Sequence, residues 1–336
     1  MDIKTTKIKN IAVQNFTAFH DLKIEFCDGV NVIIGENGTG KTHLLKLLSM
    51  FGNVALGTDA SEWCVLYTIS VDIDFVNCAR NSIFHPSISI NDVLLYDESL
   101  NNLVDERVRK AIPLWNDAIK FSVFIPAKEM LSNSDIVRIH ENFKKELYID
   151  LTLIDIINHA NYLLRDNPSD LALSISTKIE KIIGGSVFIH PNDKQFWIKK
   201  ADGTQVPYRF EAEGFNKLGL LWRLVMNGSI HQNTVLLWDE PEANLNPSII
   251  PHVVDILFDL ANHGVQIFVS THDYILAKYF EVRVKDENKL MYQSLFKSDK
   301  GVVGETCKNF RDLKNNPIIS SFNNLMLEVI QGNMGD

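Results

Sequence analysis

The sequence has few cysteines, no long apolar run and no excess of positive charge. Its four cysteines, Cys27, Cys64, Cys78 and Cys307, form no C-x-x-C pair, which argues against a structural zinc site and a disulfide scaffold. No stretch of about 18 apolar residues occurs, so no transmembrane helix is expected. The first residues lack the apolar core of a secretory signal. These absences predict a reduced, cytoplasmic protein without a membrane partner.

Charge and composition narrow the class of protein further. The 336 residues include 42 acidic and 33 basic side chains, a formal net charge of −9. This balance disfavours a protein coated with DNA-binding charge, although it allows one local basic groove. Hydrophobic residues make up 46% of the sequence and can supply a sizeable core, which excludes a mainly disordered chain. The length predicts one large domain or two modest ones.

Strand and helix patterns alternate at both ends of the chain. The apolar runs at 30–34, 234–238 and 265–270 predict buried strands. Helices are predicted over 41–51, 215–226 and 249–260, and the 137–183 segment is predicted to be mainly helical. Alternating strands and helices predict an α/β fold with a mainly parallel sheet.

A glycine-rich segment follows the first buried strand. It is Gly35-Glu36-Asn37-Gly38-Thr39-Gly40-Lys41-Thr42, which matches the phosphate-binding pattern G-x-x-x-x-G-K-[ST] at every fixed position. A chance glycine turn is the alternative, but the strand before the segment and the helix after it favour the phosphate loop.

The chemistry of this segment predicts an ATP and Mg²⁺ site. Its glycines let backbone N–H groups curl around phosphate oxygens, and the following helix adds partial positive charge. Lys41 is expected to reach the β- and γ-phosphates, and the Thr42 hydroxyl to bind Mg²⁺. The expected nucleotide-binding residues are Asn37, Gly38, Thr39, Gly40, Lys41 and Thr42.

Two further groups of polar residues follow predicted buried strands. Asp239 and Glu240 end the strand at 234–238, where Asp239 is expected to bind Mg²⁺ and Glu240 to polarise the attacking water. His272 follows the next strand, and parallel strands would bring it to the same edge as Asp239. We therefore predict Glu240 and His272 as catalytic residues. Solvated strand ends are the alternative interpretation of both groups.

The order of these motifs resembles that of ABC-type P-loop ATPase heads, and most closely the OLD/RecF/SMC-like AAA-family ATP-binding proteins of prokaryotes. The segments at 11–19, 124–131 and 241–247 resemble that group's first strand and turn, Q-loop region and D-loop. The resemblance implies an ABC-type ATPase head with a mixed sheet and a helical insertion in the middle. It divides the chain into a head, residues 1–55 and 186–336, and an insertion at 56–185.

The sequence departs from that family at two places. The usual signature serine is Ala212, and Glu213 stands where glycine is expected. A carboxylate beside a γ-phosphate would repel it, although Gly214 and the helix start can still offer backbone N–H donors to ATP. No glutamine occupies the Q-loop position, where Lys128 and Glu129 are left without an assigned role.

By resemblance, the chain is a slowly hydrolysing, Mg²⁺-dependent ATPase that dimerises on ATP or forms a higher homo-oligomer. It would regulate or load a separately encoded effector, such as a nuclease, in anti-phage defence or DNA repair. A scaffold with structural, unhydrolysed ATP is the first alternative, and a transporter's nucleotide-binding subunit is the second.

Nucleic acid stays open as a partner. The basic residues Arg138, Lys144 and Lys145 lie in a predicted helical segment, and Lys7 and Lys9 share one face of a predicted strand. Solvated charge on a helix and protection of a strand edge are the alternatives.

Overall fold

A computed structural model describes residues 7–54, 87–90, 93–97, 121–136, 150–299 and 301–333. Arg138, Lys144 and Lys145 lie outside these residues, as do Cys64 and Cys78. The strands are β1 Asn10–Phe16, β2 Phe19–Glu25, β3 Val30–Gly35, β4 Ser87–Ile90, β5 Val93–Asp97, β6 Phe121–Ile125, β7 Gly185–Ile189, β8 Phe196–Lys200, β9 Gln205–Pro207, β10 Thr234–Asp239, β11 Gln266–Thr271, β12 Leu290–Ser298 and β13 Gly301–Cys307. The helices are α1 Lys41–Val54, α2 Leu151–Asn161, α3 Asp170–Ile183, α4 Glu213–Met226, α5 Ile250–Asn262, α6 Tyr274–Arg283 and α7 Pro317–Asn333.

Most of these strands form one ten-stranded sheet, in the order β5-β4-β1-β2-β13-β12-β3-β11-β10-β6. From β12 to β6 every pair is parallel, whereas β1 pairs antiparallel with β2 and β4, and β4 with β5. The mixed α/β fold predicted from the sequence is confirmed. The parallel half puts several strand carboxyl ends on one edge, which is where α/β proteins bind ligands.

The central strands are buried on both faces. In β3, Val32 and Ile34 join the core that contains α4, α5 and α6, whereas Ile33 joins the core around α1. The leucines of α1 share that second core with residues of β1 and β2. Because side chains alternate along a strand, each central strand contributes to both cores. Helix α1, which begins at Lys41, therefore packs on the sheet face to which Ile33, Val235 and Leu237 also contribute.

The middle of the chain contributes to the same sheet. β6 pairs in parallel with β10, and β4 pairs with β1, although both strands lie within the 56–185 range assigned to an insertion. The division of the chain into a head and an insertion stays a prediction. β7, β8 and β9 form a separate antiparallel sheet, in which β8 pairs with both β7 and β9.

The helices of the described ranges are not of the kind that crosses a bilayer. None of them combines sufficient length with sufficient hydropathy to form a membrane span.

Candidate nucleotide-binding site

The carboxyl ends of three neighbouring parallel strands bring the predicted motifs together. β11 lies between β3 and β10, with Ser270 opposite Asp239 and Thr271 opposite Ile34. The residues that follow these strands therefore lie side by side: Glu36 after β3, Glu240 after β10 and His272 after β11. The expectation that His272 lies beside the end of β10 agrees with this register.

Two glycines of the glycine-rich loop adopt backbone conformations that other residues rarely take. Gly38 and Gly40 have φ angles of +77° and +86°, which favour glycine. A Cβ at Gly40 would lie 2.7 Å from the Phe19 ring, whereas one at Gly38 would meet no atom within 4 Å. The loop is thus packed on β2 from beneath and open on its outer side.

Lys41 is folded back onto the same loop. Its Nζ donates to the carbonyl oxygens of Gly35, at 2.8 Å, and Glu36, at 3.1 Å, and the side chain is 8% exposed. Burial lowers the pKa of Lys41, and the carboxylates of Glu240 and Asp239 oppose that shift. The ammonium group therefore lies at the loop among carbonyls that phosphate oxygens can replace as acceptors.

Thr42 and Asp239 meet beside the loop. The Thr42 hydroxyl donates to Asp239 Oδ2 at 2.7 Å, and Ser270 donates to Asp239 Oδ1. Asp239 is 5% exposed. A hydroxyl and a carboxylate at the mouth of a phosphate loop are hard oxygen ligands, the kind that Mg²⁺ binds together with substrate phosphates. These two residues fit the metal site expected of them.

Glu240 and His272 form a second polar pair at this edge. His272 Nδ1 lies 2.9 Å from Glu240 Oε1, and because a carboxylate only accepts, Nδ1 bears the hydrogen in this contact. The Glu240 backbone is in the left-handed region, with φ of +46°. This conformation costs on the order of 1 kcal/mol for a non-glycine residue and persists only where surrounding contacts hold it.

Two buried charged residues next to these pairs had no predicted role. Glu242 is 9% exposed, accepts from Thr271 Oγ1 at 2.5 Å, and burial raises its pKa to about 7. Lys217 of α4 is 1% exposed, and its Nζ donates to the Glu240 carbonyl at 3.1 Å. The sequence offers one indication for Lys217: it is a lysine among the apolar residues of a helix, and that helix is buried on most sides.

The segment expected to hold the ABC signature begins α4. Ala212 and Glu213 are exposed, and Ala212 provides no side-chain cap for the helix. Gly214 is buried, and a Cβ there would lie 2.5 Å from the Asn244 carbonyl oxygen. Gly214 therefore allows close packing between α4 and the turn after β10, and its contact with nucleotide stays a prediction.

In the segment that resembles the Q-loop region, the structure shows a structural role for Glu129. Buried Glu129 accepts from the backbone N–H groups of Leu131 and Ser132, and so caps the short 3₁₀ helix Leu131–Asn133. Burial raises the pKa of Glu129. Lys128 is exposed beside it.

The two N-terminal lysines contact the protein itself. Lys7 donates to the Gly264 carbonyl, and burial lowers its pKa to about 8. Lys9 forms an ion pair with Asp28. These contacts give both side chains a structural role just before β1, so the prediction that they lie within a strand is wrong.

Two AAA-domain families match the chain. The family described as "AAA domain, putative AbiEii toxin, Type IV TA system" matches residues 80–277, and a second, described as "AAA domain", matches residues 10–60. The second match covers the glycine-rich loop, and the first covers the ends of β10 and β11.

Curated relatives match shorter parts of the chain. The DNA double-strand break repair Rad50 ATPase of Archaeoglobus fulgidus is 25% identical over 111 residues, which are 30% of this chain and 12% of that protein. The DNA replication and repair protein RecF of Caldanaerobacter subterraneus subsp. tengcongensis is 47% identical over 58 residues, 16% of each. The Glu/Asp import ATP-binding protein GltL of Escherichia coli is 38% identical over 61 residues, which are 18% of this chain and 25% of that protein. The chain thus spans a quarter or less of these relatives.

Solved structures agree on the fold. The Smc head domain from Pyrococcus furiosus, bound to the C-terminal domain of ScpA, aligns with a TM-score of 0.51 and 12% identity, over 96% of this chain and 99% of that one. A second SmcHead structure, bound to the C-winged helix domain of ScpA, aligns with a TM-score of 0.50 and 13% identity, over 90% of this chain and 98% of that one. The predicted resemblance to SMC- and RecF-like P-loop ATPase heads is confirmed. Since the first family matches more than half of the chain, this protein belongs to that family of AAA-domain P-loop ATPases.

Proposed function

We propose that this chain binds ATP with Mg²⁺ and hydrolyses it slowly at the edge formed by β3, β10 and β11. The observation that supports hydrolysis most is the adjacency of two pairs, Thr42 with Asp239 and Glu240 with His272. The first pair would hold Mg²⁺, which neutralises phosphate charge when bound. The second offers a base and a group that orients it.

Each residue has a distinct part in this proposal. Lys41 leaves its loop carbonyls and donates to the β- and γ-phosphates. Glu240 accepts a proton from the attacking water, and His272 holds the Glu240 carboxylate in place through Nδ1. His272 is half exposed, so its ring can alternatively turn away from Glu240 toward the γ-phosphate as negative charge develops there.

The direct experiment is steady-state ATP hydrolysis by the wild type and Glu240→Gln. Gln retains the size and hydrogen-bonding capacity of Glu but takes no proton from water. We expect turnover that requires Mg²⁺ in the wild type, a loss of about 100-fold or more in the variant, and unchanged ATP affinity. Wild-type turnover in Glu240→Gln would remove Glu240 from the mechanism.

The proposal includes ATP-dependent dimerisation of the head. The exposed start of α4 is available to a second copy, and a nucleotide that binds the dimer best stabilises it by mass action. Glu240→Gln should therefore accumulate as an ATP-bound dimer. Light scattering with and without ATP-Mg²⁺, at equal concentrations of wild type and variant, measures the size of the oligomer. A size in the variant that does not change with ATP would contradict ATP-dependent dimerisation.

We further propose a separately encoded effector, such as a nuclease, in anti-phage defence or DNA repair, at a cytoplasmic location. The support is the toxin in the family description and the repair activities named for the Rad50 and RecF relatives. Isolation of the native complex from its host, with Lys41→Ala as the nucleotide-binding control, identifies the partner. Recovery of the same partner with the wild type and with Lys41→Ala would show that effector binding does not require ATP.

A scaffold with structural ATP is the second candidate. Ala212 and Glu213 favour it, because this helix start offers no signature serine to a second nucleotide and adds negative charge. In that case ATP would stay bound without turnover, and Glu240→Gln would behave like the wild type.

A further inference from the structure

Glu240 has a backbone conformation that the local sequence opposes. Its φ is +46°, and the next residue is Pro241, whose ring pushes the preceding residue toward extended conformations. A strained residue of this kind is retained only where the surrounding structure holds it. Contacts from neighbouring elements must therefore hold the Glu240 backbone.

Both backbone polar groups of Glu240 are anchored. Its N–H donates to the Ser270 carbonyl at 3.0 Å, which ties it to the end of β11. Its carbonyl accepts from the Ala243 N–H at 3.1 Å, within the same turn, and from Lys217 Nζ at 3.1 Å. The Lys217 bond alone among these three reaches helix α4.

Lys217 is held for this contact by its surroundings. It is 1% exposed on the helix that also packs against the turn through Gly214, where a Cβ would lie 2.5 Å from the Asn244 carbonyl. Burial lowers the pKa of Lys217, and the carboxylates of Glu242, Glu213 and Glu240 oppose that shift. A buried ammonium among carboxylates donates a strong, charge-assisted hydrogen bond.

We propose that Lys217 is a positioning residue that fixes the Glu240 main chain, and so aims the Glu240 carboxylate, from helix α4. This role rests on the proposed hydrolysis by Glu240. It also makes α4 part of the catalytic site within one chain: a displacement of α4 moves the ammonium that holds Glu240. The start of the same helix is the surface expected to face a second head. Binding of a second head at that surface would therefore change the position of Glu240 through Lys217.

The test compares two buried cations on α4. Lys217→Met retains an apolar stem of similar length and removes the donor. Arg223→Met is the matched control, because Arg223 is also buried on α4 but donates to the carbonyls of Ala160 and Tyr162 rather than to that of Glu240. We expect Lys217→Met to lower kcat about 10-fold, the effect of losing one charge-assisted hydrogen bond, with the Kd for ATP within twofold of wild type. Arg223→Met should lower the Tm and leave kcat unchanged.

A double variant separates positioning from general loosening. Lys217→Met in the Glu240→Gln background should cause no further loss of kcat, because a carboxylate that is already absent cannot be misaligned. Lys217→Arg, which retains a cationic donor, should retain more of the wild-type kcat than Lys217→Met. If Lys217→Met does not fold, Lys217→Gln replaces it, since its shorter, neutral side chain does not reach the carbonyl.

Several outcomes would overturn the role of Lys217. A wild-type kcat in folded Lys217→Met, an equal loss in Arg223→Met, or a full further loss in the double variant would each do so, provided that Glu240→Gln alone still lowers kcat by about 100-fold and leaves a measurable residual turnover. A weakened ATP affinity with unchanged kcat would assign Lys217 to binding instead. A wild type that binds ATP without turnover would overturn the proposed hydrolysis, and this role with it.

Discussion

The edge formed by β3, β10 and β11 and the start of helix α4 are both expected to contact nucleotide, but they are built differently. At the edge, the polar side chains contact one another: Thr42 with Asp239, and Glu240 with His272. At the start of α4, Ala212 and Glu213 face solvent without a side-chain cap. One chain therefore brings together the residues that we propose to bind and hydrolyse ATP, whereas the surface proposed to face a second chain departs from the ABC pattern.

The largest effect is expected from removal of the Lys41 ammonium group, which is proposed to bind the phosphates. Lys41→Ala should weaken ATP binding by about 100-fold or more, because the phosphates lose charge-assisted hydrogen bonds. Lys46→Ala is the matched control, since Lys46 lies on the same helix but pairs with Asp150. Calorimetric titration with ATP-Mg²⁺ measures both affinities, and an unchanged Kd in Lys41→Ala would contradict the phosphate-cradle assignment.

The next effect concerns Glu242, the buried carboxylate between the edge and α4. Because burial raises its pKa from 4.5 to about 7, the folded state binds more protons than the unfolded state between those values. Its contribution to the free energy of unfolding therefore falls as pH rises from about 4.5 to about 7, by about 1.4 kcal/mol per pH unit, and is constant above. In nucleotide- and metal-free protein, Glu242→Gln should flatten this dependence and be more stable than the wild type at pH 8. Denaturant unfolding at several pH values measures it, and parallel curves would contradict the pKa assignment.

A smaller effect separates turnover from binding at the same edge. His272→Ala should lower kcat about 10-fold, the effect of one moderate hydrogen bond, and change the Kd for ATP less. His263→Ala is the control, because His263 is exposed after α5 and bonds the Asp259 carbonyl. Wild-type turnover in His272→Ala would make this histidine a polar strand end.

The smallest expected effect lies at α4. Glu213→Gln removes an exposed negative charge from the surface expected to face a second nucleotide, so ATP-dependent dimerisation should strengthen by about threefold at low salt. The gain should shrink at high salt, because exposed charges are screened. Sedimentation at two ionic strengths measures it, and no gain at low salt would place Glu213 away from the nucleotide.

Local patterns predicted most of the edge, because its motifs are contiguous and follow buried strands whose apolar runs are unmistakable. The Lys217 contact could not be predicted, since it depends on where α4 lies relative to a turn 23 residues further along the chain. The pairing of β6 with β10 was missed for a similar reason. The two strands are distant in sequence, and an apolar run does not indicate which strand it will pair with. Glu129 had no assigned role in the sequence, because its hydrogen bond to the Leu131 N–H becomes visible only in the three-dimensional structure.

The most direct measurement identifies the nucleotide that stays bound after incubation with ATP-Mg²⁺. Wild type and Glu240→Gln are incubated, freed of unbound nucleotide, denatured and analysed by ion-exchange chromatography. If Glu240 accepts the proton of the attacking water, the wild type should release ADP and Glu240→Gln should release intact ATP. Intact ATP from both proteins would contradict hydrolysis at this site and identify ATP as a structural ligand.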